Sequence, residues 1–337
     1  MVATGHERIA GLDRVSLCAL PTPIVEAERL RECLQGPRLF IKRDDLTGLA
    51  LGGNKARACE FVLAQARASG CDTLIAVGPQ QSNQVCALAA AARRCSMRVI
   101  VLLLKGDNRT RGNMLLLHLL GAEVRFTGIA IADIDEAHGQ MRDLAAQLRS
   151  EGATPFEVSY GALPVVGTAG YVLLMSEILD QVGKSSTGTC HVFTGGGSGL
   201  TQAGLVLGNK LLDGGYTIHG VVLDERRDQA THERSVLAAV EAASALFETG
   251  LSFGADDVRC IPGYARNDVA TRDKTLKVSK LVGRSEGILL DPIYTGRVMA
   301  ALVDEIRSGR ISREDTVVFY HSGGIPAIVS HRDVDPL

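Results

Sequence analysis

Short unbroken runs of Val, Ile and Leu alternate along the chain with longer stretches in which apolar residues recur every three or four positions. The short runs are Leu39–Ile41, Thr73–Val77, Arg98–Leu104, Glu123–Phe126, His191–Thr194, Ile218–Leu223 and Thr316–Tyr320. Continuous rather than alternating apolar runs are what parallel strands buried on both faces require. The longer stretches predict helices over Lys55–Ser69, Asn83–Cys95, Asn113–Leu120, Asp135–Ser150, Thr168–Val182, Thr201–Leu212, His232–Thr249, Lys274–Val282 and Arg297–Ser308. Gly70, Gly183 and Gly309 stand where helix C-caps belong. This alternation gives the fold class: α/β, with open, doubly wound, mainly parallel sheets. A length of 337 residues suits two domains. No repeat or Pro-rich linker separates them, so the chain is expected to weave between the two.

Composition narrows the function. Hydrophobic residues at 46% and charged residues at 22% exclude a disordered or fibrous chain. A net charge of −2 offers no basic surplus for nucleic acid or an acidic membrane. The longest uncharged apolar run, near Val99–Leu104, is far short of a membrane span. Eight cysteines without a C-x-x-C pair predict free thiols, with neither a disulfide framework nor a metal site. The opening MVATGHERIAGLDRVSL carries no apolar leader segment. A reduced, cytoplasmic protein is expected.

Three places carry candidate chemistry. After the strand HVFT, Gly195-Gly196-Gly197-Ser198-Gly199-Leu200-Thr201 opens a helix. Four glycines let the backbone approach a ligand, and the helix start points N–H groups and positive potential at it. This reads as an anion cup, most simply for a phosphate; a Gly-rich turn without a ligand is the plainer alternative. The spacing fits neither a Walker A loop nor a dinucleotide fingerprint. The second place is Gly52-Gly53-Asn54-Lys55. Lys55 alone among the eight lysines starts a helix behind two glycines. Positive potential and burial there favour the neutral, nucleophilic amine, although a solvated lysine would have the same spacing. The third is Gln80-Gln81-Ser82-Asn83-Gln84, where Ser82, Asn83 and Gln84 can offer donors to a substrate carboxylate, or Ser82 can simply be an N-cap. Tyr294 and Ser322 follow turn-like segments late in the chain. A phosphate cup with an activated lysine is the minimum equipment for pyridoxal 5′-phosphate, the lysine holding the aldehyde as a Schiff base. A non-catalytic phospho-ligand binder and a cofactor-free sugar-phosphate enzyme remain as rivals.

At these residues the chain resembles the D-cysteine desulfhydrase and 1-aminocyclopropane-1-carboxylate (ACC) deaminase family of pyridoxal-phosphate enzymes, fold type II. The matching segments are PTPIVEAERL, FIKRDDLTGLALGGNKAR, QQSNQ, RGNMLLLHLLGAEVRF, PVVGTAGY, GSGLTQAGL, EGILLDPIYTGRVMAAL and HSGGIPAI, in family order over nearly the whole chain. The resemblance implies two doubly wound domains with the cofactor between them: a large one from 1–57 and 166–337, and a small one inserted at 58–165. It implies Lys55 as the Schiff-base lysine, with Asn54 and Asn83 near the cofactor. Ser82, Asn83, Gln84 and Tyr294 would lie on the substrate. Gly195 to Thr201, including Leu200, would form the phosphate loop, and Tyr264 and Tyr294 would be the two active-site tyrosines. Family members usually carry a histidine where Gln84 stands, often a lysine at Ala58, and a glycine at Tyr160; these departures ring the substrate side.

The reaction the resemblance implies is β-elimination from a cysteine-like amino acid, most simply D-cysteine to pyruvate, sulfide and ammonia, with cysteate or ACC as alternative substrates and a homodimer as the assembly. ACC deaminases typically have a glutamate after the matching tyrosine, facing the pyridine nitrogen. Here the position is Thr295, and Ser322 is a second hydroxyl for that nitrogen. A hydroxyl in this place gives a weaker electron sink and argues against ACC. The plainer alternative is that Thr295 is only the N-cap of the helix that follows it.

Overall fold

The structure, a computed structural model, describes residues 5–184 and 187–330. In chain order, α1 (Gly5–Ala10), β1 (Ile24–Glu26), α2 (Glu28–Leu34) and β2 (Arg38–Arg43) lead to a loop that ends at α3 (Lys55–Ala68). Next come β3 (Thr73–Gly78), α4 (Asn83–Arg94), β4 (Arg98–Leu103), α5 (Asn113–Leu119), β5 (Glu123–Phe126), α6 (Ile134–Ser150) and β6 (Pro155–Val158). The chain continues through α7 (Ala169–Val182), β7 (Cys190–Gly196), α8 (Leu200–Leu211), β8 (Tyr216–Val222), α9 (Gln229–Leu246) and β9 (Arg259–Ile261). It ends with α10 (Val269–Glu286), α11 (Thr295–Arg307), β10 (Thr316–His321) and α12 (Ile325–Ser330).

All seven expected strands are present. Three more, β1, β6 and β9, have only three or four residues each and carry too little apolar signal to stand out. Helix α10 begins five residues before the expected start, because the Asp268 carboxylate caps it by accepting the Thr271 N–H.

The strands make two sheets, ordered β5-β4-β3-β6 and β1-β2-β10-β7-β8-β9. Every pairing is parallel except β1 with β2. The four-stranded sheet draws only on residues 73–158, and the six-stranded sheet on 24–43 and 190–321. On this distribution we propose the domain division given above; its outermost residues, 1–4 and 331–337, lie outside the described residues. The stretch Val165–Val182 is long and apolar enough to cross a membrane by length and composition. Most of it is α7, a core helix whose Tyr171, Val172, Leu174, Met175 and Ile178 are all fully buried.

One buried polar cluster ties the sheet to the start of α3. Arg57 donates to both oxygens of Asp44, at 2.6 and 2.8 Å, and to both oxygens of Glu177 on α7, at 2.8 and 2.9 Å. Lys42 of β2 donates to Glu177 at 2.6 Å, and the Tyr320 hydroxyl of β10 donates to Asp44 at 2.5 Å. Lys42, Asp44 and Arg57 are at most 1% exposed. Burial by itself would raise the Asp44 carboxyl pKa; the adjacent Arg57 outweighs it and holds the group below its usual value. Two cations face two carboxylates, so the cluster is charge-balanced. Removing one partner leaves a buried charge uncompensated. Asp44→Asn is therefore expected to lower the unfolding free energy in urea by about 3–5 kcal/mol. A loss under about 1 kcal/mol would place this pair in the range of exposed ion pairs instead.

A second cluster lies in the same sheet. His191 Nδ1 and His219 Nε2 are 3.0 Å apart, and the His219 ring stacks on Phe193. Burial, then the neighbouring His191, pushes the His219 pKa down to about 3. Below about pH 6.5 the unfolded chain binds a proton that the folded one refuses, so this contribution is complete above that pH and falls away toward pH 3. Melting temperature is expected to fall between pH 7 and pH 5, and His219→Gln should flatten that slope.

Candidate active site

Loops after β2, β3, β6, β7, β8 and β10 converge on a cavity of about 710 Å³. All six leave the C-terminal ends of parallel strands, where doubly wound sheets gather their ligand-binding loops.

The loop after β2 brings Lys55. Gly52 lets it turn: its φ is +74°, and a Cβ there would lie 2.0 Å from the Asp45 carbonyl oxygen. Gly53 N–H donates to the Asp44 carbonyl at 2.8 Å, so the buried cluster fixes the approach to the lysine. Lys55 is half-buried, and its accessible surface is cavity wall. Its ammonium has no hydrogen-bond or ion-pair partner among the described residues. Burial lowers its pKa, weakly opposed by Cys59. A partly buried amine without a carboxylate partner is readily neutral and nucleophilic.

The loop after β7 is the cup. Among the described residues, the N–H groups of Gly197, Ser198 and Gly199 find no protein acceptor. The first N–H groups of α8, from Leu200 and Thr201, have none within the helix. Gly199 takes the N-cap position at φ +92° and, having no side chain, leaves these groups free. A Cβ built on Gly197 meets nothing within 4 Å, so it would project into the cup. Helix α9 backs the loop: Cβ atoms on Gly196 and Gly199 would lie 2.3 Å from His232 Nε2 and 3.1 Å from Val236. Asn54 sits at the N-cap of α3 but sends its amide across to Thr201 Oγ1 at 3.1 Å.

The loop after β3 supplies Ser82, Asn83 and Gln84 to the cavity. Ser82 does cap α4: its Oγ accepts the Val85 N–H at 3.2 Å, leaving its own proton free. Asn83 Oδ1 accepts from Asn113 at 2.7 Å, which turns its NH₂ donors elsewhere. Gln84 donates to the Ser159 carbonyl at 3.2 Å. Gly195, Tyr294 and Ser322 also line the cavity. Burial raises the Tyr294 phenol pKa, so it keeps its proton.

Two expected site residues are elsewhere. The Tyr264 hydroxyl donates to Asp304 at 2.5 Å, and the side chain packs with the apolar cluster beneath α11 rather than lining the cavity. Its neighbour Ala265 takes the wall position. Thr295 is 1% exposed, and its hydroxyl donates to Asp291 Oδ2 at 2.6 Å. Asp291, absent from the sequence-based site, lines the cavity instead. Its Oδ1 accepts the N–H groups of Ile293 and Tyr294, and its Oδ2 the N–H and hydroxyl of Thr295. Those four hydrogen bonds fill a carboxylate's acceptor capacity. Ser322 also lines the cavity, with no side-chain partner for its hydroxyl among the described residues. Arg297 was also missed: its guanidinium binds the Pro292, Tyr264 and Ala265 carbonyls and Asn267 Oδ1, clamping the 264–267 loop to α11.

A cup of unsatisfied N–H groups, a free amine and a hydroxyl around one cavity fit a phosphorylated pyridine aldehyde. Residues 15–323 match the family described as pyridoxal-phosphate dependent enzyme. The D-cysteine desulfhydrase of Salmonella typhi is 34% identical over 328 residues, covering 94% of this chain and 96% of that protein. The crystal structure of an ACC deaminase homologue superposes with a TM-score of 0.87 at 29% identity, covering 99% of this chain and 98% of that one. Threonine deaminase isoform 2 from Solanum lycopersicum shares the fold, with a TM-score of 0.67 at 16% identity over 98% of this chain and 92% of that one. The chain thus belongs to the pyridoxal-phosphate-dependent enzymes of fold type II, in the family of D-cysteine desulfhydrase and ACC deaminase, and is a lyase or deaminase.

Proposed function

We propose that this enzyme eliminates the β-substituent of a cysteine-like amino acid, D-cysteine first, with water completing its conversion to pyruvate, sulfide and ammonia. The observation that carries this reading is Lys55: an unpaired, partly buried amine in the wall of the cavity that the start of α4 and the anion cup also line. When bound, pyridoxal phosphate supplies an electron sink conjugated to the substrate's α-carbon. Gly197, Ser198, Gly199, Leu200 and Thr201 would hold its phosphate, and Lys55 Nζ would hold its aldehyde.

The remaining roles belong to the chain's side chains. Ser82 and the first N–H groups of α4 hold the substrate carboxylate, since a helix start favours an anion. Lys55 Nζ would take the α-proton; its lowered proton affinity keeps it available as a base. The Tyr294 phenol, still protonated, is the donor toward the departing sulfur. Ser322, rather than Thr295, would serve the pyridine nitrogen, because Thr295 is committed to Asp291. A hydroxyl there still argues for β-elimination over cyclopropane opening. A cytoplasmic setting belongs to this reading, on the irregular spacing of the eight cysteines. Exposed Leu115, Leu119 and Phe126 offer an apolar face to a second copy in a homodimer.

The test is a keto-acid release screen over D- and L-cysteine, cysteate, β-chloroalanine and ACC. Pyruvate from D-cysteine should exceed 2-oxobutyrate from ACC by at least about a hundredfold, or ~2.7 kcal/mol in barrier; comparable rates would overturn the reading. Lys55→Ala should lose the borohydride-trappable yellow colour, and label on another lysine would reassign the attachment. Gly197→Val should weaken cofactor binding by more than about tenfold, or ~1.4 kcal/mol, as measured by dialysis equilibrium. Tyr294→Phe should keep the cofactor and lower turnover; unchanged kinetics would make the ring a packing residue.

A further inference from the structure

The segment after β8, Asp224-Glu225-Arg226-Arg227, lines the cavity and has no part in the reaction described above. Arg226 is held there on two sides. Its Nε and Nη2 donate to the two oxygens of Asp224, at 2.9 and 2.8 Å. Its guanidinium carbon lies 5.9 Å from the centre of the Tyr160 ring. Tyr160 comes from the other sheet's domain, on the loop after β6. That loop is fixed in turn by the Gln84 amide on the Ser159 carbonyl and by a bridge between Ser159 and Ala162. Gln84 and Tyr160, two of the positions that depart from the family pattern, therefore belong to one chain of contacts that ends on Arg226.

A guanidinium bound along one edge by a carboxylate and set beside an aromatic ring has less rotamer freedom to lose on binding. The Nη1 edge of Arg226 has no partner among the described residues. Arg227 stands 3.6 Å from the same Asp224, so two guanidiniums share that carboxylate. Glu225, the other acid here, accepts the Asn267 N–H at 2.7 Å. The free edge is thus a preorganised donor pair in the cavity wall, separate from both the cup and the start of α4.

We propose that Arg226 is a specificity residue that receives a sulfonate on the substrate's β-carbon, so that the same elimination extends from D-cysteine to cysteate, whose sulfonate leaves as sulfite with the bonding electron pair. This rests on the lyase reading of the same cavity. The α-carboxylate goes to α4, and the side-chain anion goes to Arg226. Arg–oxyanion pairing takes two parallel hydrogen bonds, which a neutral thiol or chloride cannot supply.

The test uses the cofactor-loaded enzyme with D- and L-cysteate as anionic probes and β-chloroalanine as the neutral one. Arg226→Gln should raise KM for cysteate at least about tenfold, ~1.4 kcal/mol, with kcat and the β-chloroalanine parameters changed less than about twofold. Arg226→Lys should recover only part of the loss, because an ammonium cannot pair bidentately. Tyr160→Leu should weaken cysteate in the same direction by freeing the guanidinium. Calorimetric binding of cysteate to parent and Arg226→Gln enzyme decides the proposal without turnover. Equal binding by the two, or equal loss on both substrates, overturns it. Tight, Arg226-dependent binding without keto-acid release from any probe would instead overturn the lyase reading and leave the anion subsite standing.

Discussion

Everything at the site depends on a charge arrangement that has no contact with it. Arg57 lies two residues beyond Lys55 on the first turn of α3. Its guanidinium is shared by Asp44 at the end of β2 and Glu177 on α7. A buried guanidinium can sit in few positions, because each N–H must find an acceptor. Pinning Arg57 therefore pins the rotation of α3 about its axis, and with it the direction in which Lys55 leaves the helix. The same Asp44 accepts from Tyr320 on β10, whose strand runs on into Ser322. Two walls of the cavity are referred to one carboxylate.

The second organising feature is the parallel sheet itself. Parallel pairing from β2 through β10, β7, β8 and β9 sends each of these strand ends to the same edge. Loops far apart in sequence, at 44–54, 197–199, 223–228 and 322–324, become neighbours with no long connection. The chain needs no linker because the two sheets are interleaved in sequence, the smaller one lying within the chain that builds the larger.

Much of this was readable from residue order. Buried parallel strands announce themselves as continuous apolar runs, so β2 to β5, β7, β8 and β10 were legible. Glycines that must admit a ligand or a sharp turn are legible for a different reason: nothing else tolerates Gly52 or Gly199 at their φ values. Lys55 stood out by its place behind such glycines. What could not be read was direction. Tyr264 and Thr295 sit within a few residues of true cavity residues, but a hydroxyl near an acid turns toward it, and Asp304 and Asp291 claim them. Asp291 was hidden because a short-range turn, not a motif spacing, places it. The charged segment 224–227 did carry a signal, four ionic residues at once after an apolar strand, but the same pattern also describes an ordinary solvated loop.

The hydrogen bond from Asn54 to Thr201 joins residues 147 positions apart. One belongs to the loop that carries the amine, the other to the helix start proposed to receive the anion. Bridged in this way, the two loops cannot drift independently, so the gap between amine and anion has a set length. The cavity measures its occupant as a caliper does. A molecule with the right two ends and one methylene too many or too few would satisfy either jaw but not both.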